Sequence, residues 1–311
     1  MPDSASNPTA LLGLSRVRLR IRGFQDRAVY RFFQINGMLS ILILLGIFLL
    51  LLLEGYPALK NLGIKSFLES VWNPTSYARE TYGLGAMIVS TLMVTLGALI
   101  LAVPIGLGCA AYLAEIAPSW VREILKPVIE ILAGIPSVVL GFLGIVVVGP
   151  FIARVLHLPN GLNAVNGSIL LAIISLPTII SISEDAISSV PRTYRDASLA
   201  LGATRWQTLM RVVVPSALSG IIASVMLGMG RAIGETMTVL MATGNALKMP
   251  YHFLDSVRTM TATIAIELGE VPFGSEHYHG LFLVGFILFI MTFLVNLIAD
   301  LVLAKYQEVE R

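Results

Sequence analysis

The segment Arg192-Thr-Tyr-Arg-Asp-Ala-Ser-Leu-Ala-Leu-Gly-Ala-Thr-Arg-Trp-Gln-Thr-Leu-Met-Arg-Val-Val-Val-Pro215 concentrates charge and small side chains between two apolar runs, at 166–190 and 213–243. Each run reaches the length of about 20 residues that a helix needs to cross a hydrocarbon core. The segment therefore reads as a water-exposed loop between two membrane spans, and an all-α integral membrane fold follows from it.

Composition points the same way. Hydrophobic residues make up 56% of the 311 positions and charged residues 13%, against roughly 25% charged in soluble domains. A water-soluble core has no room for that much apolar surface. The net charge of +2, with no basic stripe interleaved with aromatics, excludes a nucleic-acid partner. Cys109 is the single cysteine, so an internal disulfide is excluded. Its place in an apolar run predicts a small buried hydrophobe.

On either side of the loop, six apolar segments in all predict six transmembrane helices, near 33–53, 85–113, 125–152, 166–190, 213–243 and 280–304. Pro104, Pro136 and Pro177 fall well inside three of them, where neighbouring helices satisfy the carbonyls that proline frees. Lysine and arginine set the orientation. One side holds Arg16, Arg18, Arg20, Arg22, Arg27, Arg31, Arg122, Lys126, Arg192, Arg195, Arg205, Arg211, Lys305 and Arg311. The other holds Lys60, Lys65, Arg79, Arg154, Lys248 and Arg258. Both termini and the charged loop are thus expected in the cytoplasm, with the chain a multi-pass membrane protein. Trp72, Trp120 and Trp206 are expected at the membrane interfaces. Residues 1–32 read as a basic cytoplasmic segment, not a cleavable signal peptide, able to lie along anionic lipid. Residues 33–311 read as the six-helix domain.

The strongest chemical signal is Leu227-Gly-Met-Gly-Arg-Ala-Ile-Gly-Glu-Thr-Met-Thr-Val, where Arg231 and Glu235 interrupt an apolar run. A charge at membrane depth costs about 3 kcal/mol on insertion scales, so something must compensate it. Four residues apart, the two are expected to share a helix face and pair. Counting from Pro215 at about 1.5 Å per residue puts Arg231 roughly 24 Å along the helix. Two readings stay open: an ion pair that only fixes packing, or a planar guanidinium fork offered to a passing oxyanion, with Glu235 holding the fork. Gly230 and Gly234 have the spacing that lets membrane helices approach closely.

Enzyme signatures fail one by one. Gly228-x-Gly230 with Gly234 misses the dinucleotide fingerprint by one residue and follows no strand, and no Gly-Lys-Ser/Thr exists to hold ATP in this chain. His277 and His279 beside Glu276 lack third and fourth metal ligands, so no metal site is expected. Asn166-Gly-Ser168 reads as a helix cap. Glu184 and Asp185 read as solvated acids beside the loop, and Glu267 and Glu270 as belonging to a short outer helix within Met260–Leu268.

Asp196-Ala197-Ser198, three residues, Gly202, nine residues, then Val212-x-Val214-Pro215 resembles the coupling loop of ABC importer permeases, which usually starts Glu-Ala-Ala. Gly228-Met-Gly-Arg-Ala-Ile-Gly-Glu-Thr-Met, Gly134-Ile-Pro-Ser-Val-Val-Leu-Gly-Phe, Trp72-Asn-Pro with Tyr82-Gly, and Val103-Pro-Ile-Gly-Leu-Gly-Cys-Ala-Ala-Tyr-Leu-Ala-Glu resemble the PstC-type permease subunits of bacterial phosphate importers, from about residue 38 onward. The resemblance implies a type I, MetI-like permease whose coupling loop spans about 184–212. Asp196, Ala197, Ser198, Gly202 and Pro215 would engage the ATPase, and Arg231 and Glu235 would attend phosphate passage. It further implies a PstA-type permease partner, two PstB-type ATP-binding subunits, a PstS-type periplasmic phosphate-binding protein and surrounding lipid. ATP and Mg would sit on partner subunits, and this chain would bind no cofactor and perform no covalent chemistry. From the residues alone, a permease for another oxyanion or nutrient, or an ion-coupled secondary carrier, stays open.

Overall fold

Apolar length sets the architecture. The computed structural model describes residues 8–63, 69–74 and 80–309. In chain order it contains α1 (Pro8–Leu62), the paired antiparallel strands β1 (Trp72–Asn73) and β2 (Thr81–Tyr82), and α2 (Gly85–Ala111). Next come α3 (Ser119–Ala133), α4 (Ser137–Leu143), α5 (Gly149–Val155), α6 (Ala164–Ser189) and α7 (Arg192–Ala200). The chain continues through α8 (Arg205–Thr208), α9 (Val214–Ser216), α10 (Leu218–Gly234), α11 (Met237–Ala242), α12 (Met260–Glu267) and α13 (Glu276–Val309). Met1–Leu53 forms one compact unit and Glu54–Arg311 another. Expectations for residues 1–7, Lys65, Arg79 and Arg311, and for the side chains of residues 8–28 and 302–309, fall outside the described residues.

Among the described residues, five helical stretches are long and apolar enough to span a membrane: Val29–Asn61, Gly85–Ile116, Ser137–Val155, Ala164–Ser189 and Glu276–Leu301. A sixth is the pair Arg205–Ser216 and Leu218–Gly234, bent by 71°. Two expected spans are corrected. The segment 125–152 splits at Gly134-Ile135-Pro136, because Pro136 caps α4 instead of kinking a continuous helix. The preceding α3 is amphipathic, with Trp120, Ile124, Val128 and Ile131 exposed along one stripe. The segment 213–243 breaks at Ala217 and again at Glu235. Pro104 and Pro177, by contrast, do lie inside continuous helices.

Three wide π-helical turns, Tyr112–Ile116, Gly144–Val148 and Leu209–Val213, are each followed two residues later by a proline: Pro118, Pro150 and Pro215. At Pro150 and Pro215, which lie in helical backbone, the ring collides with the carbonyl four residues before it and a locally wider helix relieves that crowding, whereas before Pro118 the chain is already extended at Ala117.

Small residues let the inner helices close on one another. A side chain at Gly97 on α2 would strike Ser168 on α6, one at Gly106 would strike Ile179, and one at Gly228 on α10 would strike Ile179 from the other side. Hydroxyls tie the same seam: Ser168 Oγ donates to the Val94 carbonyl at 3.1 Å, Ser175 Oγ to the Gly228 carbonyl at 3.2 Å, and Ser183 and Ser224 share a bond of 2.6 Å. Each such interhelical bond contributes about 0.6 kcal/mol in a membrane. Gly230 and Gly234, expected to be the close-packing pair, have nothing within 4 Å of where a side chain would start, so that role passes to Gly228. Cys109 is exposed, not buried, because it lies off the α2–α6 seam. The cap of α6 is Asn163, whose side chain accepts from the Asn166 amide at 3.0 Å, while Asn166 itself donates to the Gly144 carbonyl.

Candidate functional site

Helix α10 has two unlike faces. Ile221, Ser224, Gly228 and Ala232 are buried, whereas Leu227, Arg231 and Gly234 are exposed. Arg231 lies on the last turn of α10, where a cation suits the carboxyl end of the helix dipole. Its guanidinium reaches across to Thr178 Oγ1 of α6 at 3.4 Å, a long contact that leaves most of its donors uncommitted. The 71° bend resets the depth count, so Arg231 stands about 20 Å beyond the start of α10.

The expected pairing with Glu235 does not form. The helix stops at Gly234, and Glu235 adopts an extended conformation with φ −70° and ψ 132°. A carboxylate is disfavoured at a helix carboxyl end, and the Thr261 hydroxyl of α12 donates to the Glu235 carbonyl at 2.9 Å, holding the chain out of the helix. Among the described residues, neither ion pair nor hydrogen bond engages the Glu235 carboxylate. A guanidinium and a carboxylate are thus presented one after the other, without cancelling each other.

The charged loop resolves into α7 and α8. Asp196 and Ala197 are exposed on α7, and Ser198 meets the Thr208 hydroxyl at 3.0 Å. Gly202 follows with φ +85°, in the left-handed region, and its amide donates to the Leu199 carbonyl at 3.0 Å. That is a glycine closing a helix end, which accounts for its place after the small residues. Thr204 and Gln207 then form a reciprocal capping box for α8. Pro215 opens α9. Leu201 and Trp206 are exposed. A groove of about 430 Å³ beside the loop is lined by Glu115, Arg195, Leu199, Arg205 and Trp206.

Glu184 is not a solvated acid. It is buried and accepts from Lys126 of α3 at 2.8 Å, while Asp185 stays exposed. That bond is the chief reason the Lys126 ammonium is held above the usual lysine range. Arg122 of the same helix donates to the carbonyls of Leu113 and Ala114.

At the other end of the bundle, Glu267, which the sequence placed on a short outer helix without a partner, is a half-buried hub. It accepts from Arg258 at 2.6 Å, from Trp72 Nε1 at 2.9 Å and engages His277 Nε2 at 2.7 Å. Trp72 is 1% exposed and packs edge-on against Tyr82, so it is a core residue, whereas Trp120 and Trp206 are exposed. Burial and the Glu80 carboxylate push the Tyr82 phenol well above its usual range. His279 meets the Glu54 carbonyl at 2.8 Å, and Glu270 is exposed.

A bundle of membrane helices with a short polar helix pair hung from one end is the fold of ABC importer permeases. It matches the inward-facing MetNI methionine ABC transporter with a TM-score of 0.56 at 18% identity, over 72% of this chain and 95% of that one. Residues 102–307 match the family of binding-protein-dependent transport system inner membrane components, and the chain belongs to that family. It is 42% identical to the probable ABC transporter permease protein YqgH of Bacillus subtilis, over 75% of both chains. It is 34% identical to the phosphate transport system permease protein PstC of Xylella fastidiosa, over 82% of this chain and 83% of that one. The PstC of Mesorhizobium japonicum is 32% identical, over 92% and 95%. The protein is accordingly a multi-pass, non-enzymatic permease subunit of an ABC transporter.

Proposed function

We propose that this chain is the PstC-type subunit of an importer that carries inorganic phosphate into the cytoplasm, with both termini and the 192–215 loop on the cytoplasmic side. The observation that carries the reading is Arg231: a guanidinium on the unpacked face of α10, hydrogen-bonded among the described residues to Thr178 and uncancelled by Glu235. An arginine at membrane depth is retained where it meets a polar path, and its planar fork suits a tetrahedral oxyanion. Thr178 steadies one edge of the fork. Glu235, next along the chain, limits how tightly an anion is held, since conduction needs attraction that still permits release.

Energy enters through the loop. Asp196, Ala197 and Ser198 on α7, with Gly202 closing it and Pro215 marking its return to the membrane, form the surface that an ATP-binding subunit engages. A second, PstA-type permease faces the open side of α10, two PstB-type subunits carry ATP and Mg, and a PstS-type protein delivers phosphate from the periplasm. This chain transmits work and makes or breaks no covalent bond.

Arg231→Gln tests the reading. The complex is expected to assemble with its ATPase subunits while phosphate uptake into membrane vesicles is lost, because an amide supplies no charge. Normal uptake in that variant returns Arg231 to a packing role. Uptake without any ATP-binding subunit assigns a secondary carrier instead, and competition by sulfate over phosphate assigns another oxyanion.

A further inference from the structure

We infer that Arg195 is the positioning residue through which α7 grips the membrane bundle, with Glu115 as its anchor; this rests on the reading of the 192–215 loop as an ATPase docking element. Helix α7 buries no residue of its own, so apolar packing does not fix it to the helices above. Among the described residues, Arg195 is the one side chain of α7 that hydrogen-bonds to α6 and to the end of α2. Its Nε donates to Glu115 Oε1 at 2.8 Å and Nη2 reaches the same oxygen. Nη2 also donates to the Ile187 carbonyl at 2.9 Å, and Nη1 to the Val190 carbonyl.

Each partner has a physical reason to be there. The carbonyls at the carboxyl end of α6 are short of intrahelical donors, Ile187 accepting a long 3.4 Å bond from the Val190 amide, and carry the negative end of the helix dipole, so a cation satisfies both needs. Glu115 sits on the wide turn Tyr112–Ile116 that prolongs α2. The guanidinium and carboxylate are largely sheltered, with 17% and 20% of their side chains exposed, where a charge-assisted bond is screened less than at the surface. Only arginine offers donors in several directions from one rigid plane, and lysine would keep a single point contact.

The tie leads somewhere. Ser168, Ser175 and Gly106 bind α2, α6 and α10 into one seam, and Thr178 of α6 bears on Arg231 of α10. A displacement of α7 is therefore handed to α2 and α6 together, at the far end from the guanidinium that meets the cargo. Asp196, one residue on, faces outward and takes no part in the tie.

The test uses the whole complex, reconstituted with its ATP-binding subunits and supplied with inorganic phosphate. Arg195→Lys and Glu115→Gln are expected to copurify with those subunits and to hydrolyse ATP, but to move at least about fivefold less phosphate per ATP, the lower edge of an ordinary coupling energy. The double variant is expected to be no worse than the worse single, since both changes cut one link. Glu115→Gln decides the matter if Arg195→Lys fails to assemble, because it keeps volume and leaves the Arg195 bonds to α6 intact. Unchanged phosphate per ATP in Glu115→Gln overturns the proposal, and so does loss of the ATP-binding subunits from it, which would make the pair a folding element. Gly202→Glu serves as the separate control on docking. If it too retains the subunits and full coupling, the docking reading fails; if it sheds them while Glu115→Gln stays coupled, only the tie fails.

Discussion

The two ends of the bundle are each organised around one sheltered charge, and they use it in opposite ways. Around Glu267, three donors from β1, the segment before α12 and the start of α13 converge on one carboxylate, and one of them, Trp72, belongs to a buried cluster with Met260 and Leu281. Around Arg195, one cation reaches outward to two helix ends from a helix that buries nothing. The first arrangement is a closed knot inside a packed cluster. The second is a strut from a helix that buries nothing onto the end of α6, where Ile187 and Val190 are packed with Ala110, Leu209 and Val213. A charge set in a packed cluster locks geometry, whereas a charge set between an exposed helix and a packed bundle transmits it.

Removing each hub in turn puts this contrast under the greatest load. Glu267→Ala leaves Arg258 buried and unpaired, so a loss of about 3 to 5 kcal/mol is expected, read as a large drop in thermal unfolding temperature in detergent. Arg195→Ala is expected to cost less than half as much stability while uncoupling transport. Equal destabilisation would erase the distinction.

Glycines probe the same contrast through the backbone. A side chain at Gly83 would meet the backbone of Val71 and Glu69 at 2.6 to 2.7 Å, in the hairpin beside Trp72, whereas one at Gly202 would meet nothing and suffer only from its φ of +85°. Gly83→Ala is expected to cost about 3 kcal/mol from overpacking, and Gly202→Ala about 1 kcal/mol from the left-handed backbone. Denaturation of the two variants side by side checks the order.

Changes of pH act most gently. Asp255, whose carboxylate accepts from the Tyr251 and His252 amides, is held below the usual carboxylate range by those two bonds. Its contribution is complete above the unfolded value of about 3.9 and is lost as pH falls through the lower folded one. Lys126 is raised, so its contribution is complete below about 10.4 and is lost as pH rises through the folded value. Amide exchange is therefore expected to quicken in the 251–255 loop under acid and where α3 meets α6 under alkali. The reverse pattern would contradict both assignments.

Most of the architecture was legible because membrane spans announce themselves by length and apolarity, and because the break around Gly202 follows from local chemistry. The features that escaped were decided by partners distant in sequence. Glu184 reads as a loop acid until α3 brings Lys126 to it, and Trp72 reads as an interface residue until Glu267, from the far end of the chain, takes its indole N–H. The Arg231–Glu235 pairing failed because periodicity counts positions but does not see a helix end. The exposed glycines failed for a related cause: spacing marks where close approach is allowed, not which helix arrives.

The wide turn at Tyr112–Ile116 also fixes a chain length. It takes up one surplus residue in a screw of about 3.6 per revolution, so winding the same residues at regular pitch would swing the downstream chain by about 100°. Glu115 would be carried away from Arg195, while the thread from Gly97 to Gly106 stayed in phase with α6. The wide turn thus sets the phase of Glu115 while leaving the bundle undisturbed, which makes the winding between Gly106 and Glu115 a dimension the transporter has to hold.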